Sequence, residues 1–141
     1  MKIITYNING IRAALKKDLI GWLKEADPDI ICFQEIKAVV DQIPMEDFEA
    51  LGYHGYVHSA EKKGYSGVAT FSKKKASKVI PLSGMKAYDA EGRILRTDYG
   101  AITLLNCYFP SGSSGEERHA FKMDFLNDFR KYIDTLKKER K

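Results

Sequence analysis

Ile30-Ile31-Cys32-Phe33 restricts the fold of this chain more than any other stretch. These consecutive apolar residues are entered through Asp27-Pro28-Asp29 and left through Gln34-Glu35-Ile36-Lys37, which suits a short strand buried on both faces. Glu35 stands where that strand leaves the core. A carboxylate at the carboxyl end of a buried strand is held rigidly at a rim that ligands can reach. Taken alone, such a residue is more often just the first wet position after a dry strand, so the rest of the chain has to decide.

Upstream, residues 2–8 read as a strand that stops at Asn7-Ile8-Asn9-Gly10. Leu15, Leu19, Trp22, Leu23 and Ala26 then follow at three- and four-residue spacing and predict a single helix, ended by Asp27-Pro28. The order strand, helix, strand places Asn7 and Glu35 at two strand ends, which converge if the strands are neighbours. Downstream, a short helix is expected from Pro44, a strand over 53–59, a polar glycine-punctuated loop over 61–67 and a strand over 68–72. Lys73-Lys74-Lys75 reads as a solvated hairpin tip. Residues 78–82 form an edge strand because of Pro81, Asp89-Ala90-Glu91-Gly92 a turn, and 93–99 with 101–107 a hairpin about Gly100. Ser114 and Glu117 have capping-box spacing at the head of a helix whose apolar face is Phe121, Phe125, Phe129, Tyr132, Ile133 and Leu136. The pattern is α+β, with a largely antiparallel sheet and helices on one side of it.

At 141 residues the chain can bury a core of ordinary size, and 44% hydrophobic with 30% charged residues excludes wholesale disorder. A formal charge of +4 permits an anionic partner without requiring one. Cys32 and Cys107 lie inside apolar runs, no stretch approaches a membrane span, and the first residues have no signal-peptide profile. A cytoplasmic, reducing location is the expectation, with no membrane partner.

The loop Ser111-Gly112-Ser113-Ser114-Gly115 opens a helix, as phosphate cradles do, but Glu116 and Glu117 follow it and it has no Gly-Lys-Ser/Thr ending. His54, His58 and His119 lack zinc-site spacing, and no Ser/His/Asp arrangement can be drawn. What stands out is polar residues at successive strand ends: Asn7, Glu35 and Tyr108. A carboxylate beside amide and phenol groups can serve a hard divalent cation and a phosphate oxygen, because magnesium takes one or two carboxylates and keeps its waters.

Five stretches carry a resemblance: Tyr6-Asn7-Ile8-Asn9-Gly10-Ile11-Arg12-Ala13, Asp27 to Lys37, Gly64-Tyr65-Ser66-Gly67-Val68-Ala69, Glu91-Gly92-Arg93 and Tyr108-Phe109-Pro110-Ser111-Gly112. In order and spacing they resemble the exodeoxyribonuclease III family of apurinic/apyrimidinic endonucleases, within the endonuclease/exonuclease/phosphatase superfamily. The resemblance runs from Met1 to Lys141. It implies a DNase I-like four-layered α/β sandwich and magnesium-dependent hydrolysis of the DNA backbone 5′ to abasic sites, with 3′-to-5′ exonuclease activity. Manganese is the substitute ion. By the same resemblance Glu35 and Asn7 lie at the metal, and Tyr108 contacts the scissile phosphate. Arg12, Tyr65 and Arg93 grip the backbone of double-stranded DNA carrying abasic sites or 3′ ends, and Lys37 is basic at the edge of the site. Asn9 stands where some relatives have Asp.

One departure qualifies the match. The family's later Gly-Asp-x-Asn and Ser-Asp-His motifs occur nowhere in the sequence. The chain therefore resembles the N-terminal portion of one such domain, and two expectations follow. The 141 residues alone are inactive, and an exposed sheet face promotes self-association. The alternatives are a phosphatase branch of the superfamily and a non-catalytic DNA-binding or assembly module.

Overall fold

The computed structural model describes residues 1–140, which fall into two compact units, the first ending at Tyr108 and the second beginning at Phe109. The first unit holds β1 (Ile3–Asn7), α1 (Ile11–Lys16), α2 (Leu19–Ala26), β2 (Ile30–Gln34), α3 (Met45–Ala50), β3 (His54–His58), β4 (Val68–Ser72), β5 (Lys78–Ile80), α4 (Lys86–Asp89), β6 (Ile94–Tyr99) and β7 (Ile102–Cys107). A single 3-10 turn, Val40–Gln42, precedes α3. The strands make two sheets, ordered β1-β2-β4-β3 and β5-β6-β7. Among the described residues only the β1–β2 pairing is parallel, as a strand–helix–strand connection requires, so the largely antiparallel expectation holds.

The apolar run is β2, and it is buried on both faces. Ile31 and Phe33 point to one side, where they join Ile11, Leu19 and Leu23 of the first two helices, Phe48 of α3, and Ala69 and Phe71 of β4. Phe48 and Phe71 stack with centroids 4.0 Å apart. Ile30 and Cys32 point the other way, toward Tyr99 and Leu104 of the second sheet. The two sheets thus face one another across β2 and β4, and the helices of the first sheet lie on its outer face.

Polar contacts join the sheets where apolar ones would be expected. Asn106 of β7 is 2% exposed and donates to the carbonyls of Phe33 (3.2 Å) and Ala69 (2.9 Å) and to Thr70 Oγ1 (3.1 Å). Its oxygen accepts from Gln34 Nε2 at 2.8 Å. Tyr99 donates its hydroxyl to Ser72 Oγ at 2.9 Å. His58 Nδ1 lies 2.8 Å from the Ile94 carbonyl, which can only accept, so that nitrogen carries the proton. At the open side of the first sheet β1 is an edge strand. Ile3 has the register of its partner Ile30 yet is 47% exposed against 4%.

Several expectations change. The single helix over 15–26 is two helices, because Asp18 takes a left-handed backbone (φ 62°) and its carboxylate accepts the Gly21 N–H at 3.1 Å, capping α2 afresh. Lys73-Lys74-Lys75 is not a hairpin tip. β4 pairs with β2 and β3, the chain crosses there to the other sheet, and Lys73 ion-pairs with Asp27. The loop over 61–67 is not wet throughout, since Ser66 and Gly67 are buried. A short helix, α4, precedes the expected turn at Asp89–Gly92.

The second unit contains α5 (Glu116–Glu139). Its cap is Gly115 with no side-chain bond, so the Ser114 capping box does not form. Phe109, Phe125, Phe129 and Tyr132 make a row of aromatic contacts, with Phe125 and Phe129 stacked 5.6 Å apart, so that part of the predicted apolar face is a single aromatic stripe. Among the described residues no helix is long and apolar enough to cross a membrane.

Candidate active site

The parallel pairing of β1 and β2 brings Asn7 level with Gln34, one residue before Glu35. Asn7 Nδ2 consequently donates to Glu35 Oε1 at 3.3 Å, the convergence expected from the two strand ends. The backbone beyond β2 is unusual: Glu35 (φ 56°) and Lys37 (φ 52°) are both left-handed, as are the neighbouring Asn9 (46°) and Ser66 (51°). Side-chain-bearing residues rarely adopt this conformation, which costs about 1 to 3 kcal/mol each. The result of the two reversals is that Ile36 plugs the core, fully buried, while Glu35 and Lys37 emerge on the site side.

Hydrogen bonds hold this segment from two directions. Gly10 N donates to the Glu35 carbonyl at 2.8 Å and Ile11 N to that of Ile36 at 2.9 Å. From the other flank, Ile36 N donates to Gly67 O at 3.1 Å and Lys37 N to Ser66 O at 2.9 Å. Arg12 adds its guanidinium to the Lys37 carbonyl at 3.0 Å. Gly67 must stay small, since a Cβ there would lie 2.9 Å from Ile36 Cγ1. The bonds supply the over-determination that strained backbone needs in order to persist.

Glu35 is the centre of the charge pattern. Lys37 Nζ lies 3.3 Å from Glu35 Oε2 and donates to Asn9 Oδ1 at 2.7 Å. Burial alone raises the Glu35 pKa, but hydrogen bonding from Tyr108, Asn7 and Lys37, with the Lys37 charge, outweighs it and holds the carboxyl below its ordinary value. Tyr108 responds in the opposite sense. Burial, then its hydrogen bond to Glu35, pushes its hydroxyl up to about 12, so it is a proton donor at neutral pH.

Tyr108 is held in turn by Arg93, whose carbonyl accepts the Tyr108 N–H at 2.8 Å and whose Nη1 donates to the Tyr108 carbonyl at 2.9 Å. The guanidinium lies 4.9 Å from the centroid of the Tyr108 ring. Its Nη2 donates to the Tyr65 hydroxyl at 3.2 Å, and its Nε to Glu91 Oε1 at 3.1 Å. Asn7, Arg12, Glu35, Lys37, Tyr65, Arg93 and Tyr108, all expected at the site, thus form one connected set. Arg93 differs from the expectation in one respect: its side chain is 2% exposed and lies beneath the set rather than on its surface.

Three participants were not assigned a role from the sequence. Glu91 lies in a quoted motif, and its charge is what the buried Arg93 needs. Asn9 receives Lys37. Asn106 orients Gln34, and its signal is a polar residue interrupting the apolar strand Ile102-Thr103-Leu104-Leu105-Asn106-Cys107.

Among the described residues no three His, Cys, Asp or Glu side chains gather as a closed metal cage. The donor set fits a hydrated divalent ion instead. Glu35 offers an ionised carboxylate at the rim, and the Lys37 ammonium stands against one of its oxygens as a cation would. Asn7 donates from Nδ2 to Glu35 and accepts the Asn9 N–H at Oδ1 (3.1 Å), so here it steadies the carboxylate.

Known proteins resemble this chain in sequence and in fold. An exodeoxyribonuclease of Bacillus subtilis (strain 168) is 39% identical over 137 residues, which are 96% of this chain and 53% of the relative. The DNA repair nuclease APEX1 of Danio rerio is 34% identical over 141 residues, or 96% of this chain and 44% of the relative. A solved AP endonuclease from Archaeoglobus fulgidus matches with a TM-score of 0.83 at 33% identity, over 96% of this chain and 51% of that one. The chain therefore spans about half the length of the relatives it matches, and its α+β fold corresponds to half of the DNase I-like architecture. From residue 4 to residue 139 the sequence matches the Endonuclease/Exonuclease/phosphatase family, to which this chain belongs.

Proposed function

We propose that this chain carries the metal-and-phosphate side of a DNA-repair nuclease site that hydrolyses the phosphodiester 5′ to abasic sites in duplex DNA and trims 3′ ends. The observation that carries the reading is the convergence of Glu35, Asn7, Lys37 and Tyr108 at adjoining strand ends. Each group suits in-line phosphoryl chemistry, in which a protein mainly positions and neutralises charge. Tyr108, kept protonated, can turn its single O–H from Glu35 to a phosphate oxygen once a metal ion takes up that carboxylate. Lys37 and Arg12 balance the charge of the DNA backbone. Asn7 and Lys37 hold Glu35 ionised and oriented. Magnesium held by Glu35 would act as a Lewis acid on a phosphate oxygen. The names of the relatives support DNA as the substrate class. Neither cysteine is in a disulfide, which suits a cytoplasmic location.

The chain by itself is proposed to bind but not to cut. Its sequence contains neither Gly-Asp-x-Asn nor Ser-Asp-His, and the rim carboxylate of Glu35 is engaged by Asn7, Lys37 and Tyr108. The test is a pair of measurements on the 141-residue protein. Manganese binding, followed by electron paramagnetic resonance, should disappear in Glu35→Gln. Fluorescence anisotropy with an abasic duplex should show binding that weakens steeply with salt, without magnesium-dependent incision. Metal binding indifferent to Glu35→Gln would overturn the site, and incision abolished by Glu35→Ala would overturn the inactivity of the chain.

A further inference from the structure

The Glu91–Arg93 pair lies one layer beneath the proposed DNA-contacting surface, and its geometry is that of a clasp. Arg93 grips the Tyr108 peptide at both ends, through its own carbonyl at 2.8 Å and its Nη1 at 2.9 Å. The same guanidinium reaches the Tyr65 hydroxyl at 3.2 Å, and Glu91 Oε1 accepts from that hydroxyl at 3.4 Å. An ion pair of 3.0 Å between Arg93 Nη2 and Glu91 Oε1 closes the ring of contacts. Two tyrosines from separate loops are thereby fixed to one buried fork.

The platform under the clasp is rigid. Gly92, between the two charged residues, has φ 59°, and a Cβ there would lie 2.7 Å from Ala60 N, so this turn is pressed against the 58–60 backbone. Glu61 N donates to Ala90 O at 2.8 Å, and Gly92 N to Asp89 O at 3.1 Å. For its guanidinium to meet a phosphate, Arg93, 2% exposed, would have to give up its bonds to Glu91 Oε1, the Tyr108 carbonyl and the Tyr65 hydroxyl together, which is costly. Arg is suited to the buried role because its planar fork can serve a carboxylate, a carbonyl and a hydroxyl together, which the point charge of Lys cannot.

We infer that Arg93 and Glu91 are positioning residues, which set Tyr108 against Glu35 and Tyr65 at the rim and do not themselves touch the phosphate. The inference rests on the DNA-nuclease reading, and it gives that reading an acidic residue on which DNA binding depends.

That dependence has a sign that separates it from simple electrostatics. If Arg93 met phosphate directly, neutralising Glu91 would leave DNA binding unchanged or tighter, because it removes a negative charge from beside the polyanion. With a clasp, Glu91→Gln weakens binding, by roughly tenfold if it releases the equivalent of one charge-assisted hydrogen bond. Arg93→Lys, which keeps the charge and loses the fork, weakens it similarly. In both variants the slope of log K against log salt stays as in the wild type, whereas Arg12→Gln, removing a proposed phosphate contact, flattens it by about 0.9.

The experiment is anisotropy titration of an abasic duplex by the full 141-residue chain across salt, with thermal melts to show that each variant is folded. It is accompanied by NMR of the tyrosine Cζ resonances without DNA. Weaker binding by Glu91→Gln at unchanged slope, with displaced Tyr65 and Tyr108 resonances, supports the clasp. Equal or tighter binding by Glu91→Gln, or a lowered slope in either clasp variant, overturns it and leaves the nuclease reading standing. Absence of DNA binding in the wild type defeats the nuclease reading, and unmoved tyrosine resonances then defeat the clasp as well. If Arg93→Lys does not fold, the isosteric Glu91→Gln decides alone.

Discussion

Replacing Asn106 by Leu should show how much of the stability rests on one polar group between the sheets. The side chain donates to Phe33 O, Ala69 O and Thr70 Oγ1 and accepts from Gln34 Nε2, all in a site closed to water. Leucine has the same branched skeleton, with bulkier methyl ends, but makes none of these bonds. At about 1 kcal/mol net for each bond, and with some return from the added apolar contact, the loss is on the order of 3 kcal/mol. That is a large part of a stability of about 5 to 15 kcal/mol. With an urea m-value of about 2 kcal/mol per M, the unfolding midpoint should fall by roughly 1.5 M. Asn106→Asp keeps the shape but, when ionised, offers only acceptors to carbonyls that need donors. Its proton is held more tightly in the folded than in the unfolded state, so the variant loses stability as pH rises and should be less stable at pH 7 than at pH 4, relative to wild type. A Leu midpoint shift under about 0.5 M, or an Asp penalty that does not grow with pH, would show that the sheets do not depend on this amide.

Two further outcomes follow from the site. Because the folded-state pKa of Glu35 is lowered, the carboxyl contributes stability above its unfolded pKa and loses it as pH falls through the folded value. The wild type should therefore lose more stability than Glu35→Gln on acidification from about pH 5 to pH 3, measured by urea midpoints, and parallel curves would contradict it. Gly92→Ala and Gly100→Ala both place a side chain at positive φ (59° and 61°), but only at Gly92 does the new carbon meet backbone, while at Gly100 nothing lies within 4 Å. Urea unfolding should show about 1 kcal/mol lost at Gly100 and at least about 2 kcal/mol at Gly92, and equal losses would mean that the 58–60 backbone yields.

The parts of this molecule that were legible in its sequence are those governed by local period and composition. The dry run Ile30–Phe33 announced a strand covered on both faces, and the strand–helix–strand order implied the parallel neighbours that bring Asn7 to Glu35. The hairpin about Gly100 and the edge strand before Pro81 followed from turn chemistry. What stayed hidden depends on contacts distant in sequence. Asp18 has the composition of an ordinary helix residue, and only its left-handed backbone and its bond to Gly21 reveal a cap. Lys73 resembled a hairpin tip because the two flanking strands gave no sign that they belong to different sheets. Arg93 resembled a surface cation because its counter-ion Glu91 and its two tyrosines become neighbours only when the strands and the loop have come together.

The left-handed backbones at Glu35 and Lys37 bear on how the sequence can change under selection. Glycine at either position would relieve roughly 1 to 2 kcal/mol of backbone strain while removing the carboxylate or the ammonium about which the site is arranged. Screening variants for heat resistance alone would reward that exchange, and screening for the proposed metal and DNA binding would reject it. These two positions are consequently where a stability-guided redesign would first erase the proposed site. Holding both residues fixed is the least such a redesign requires.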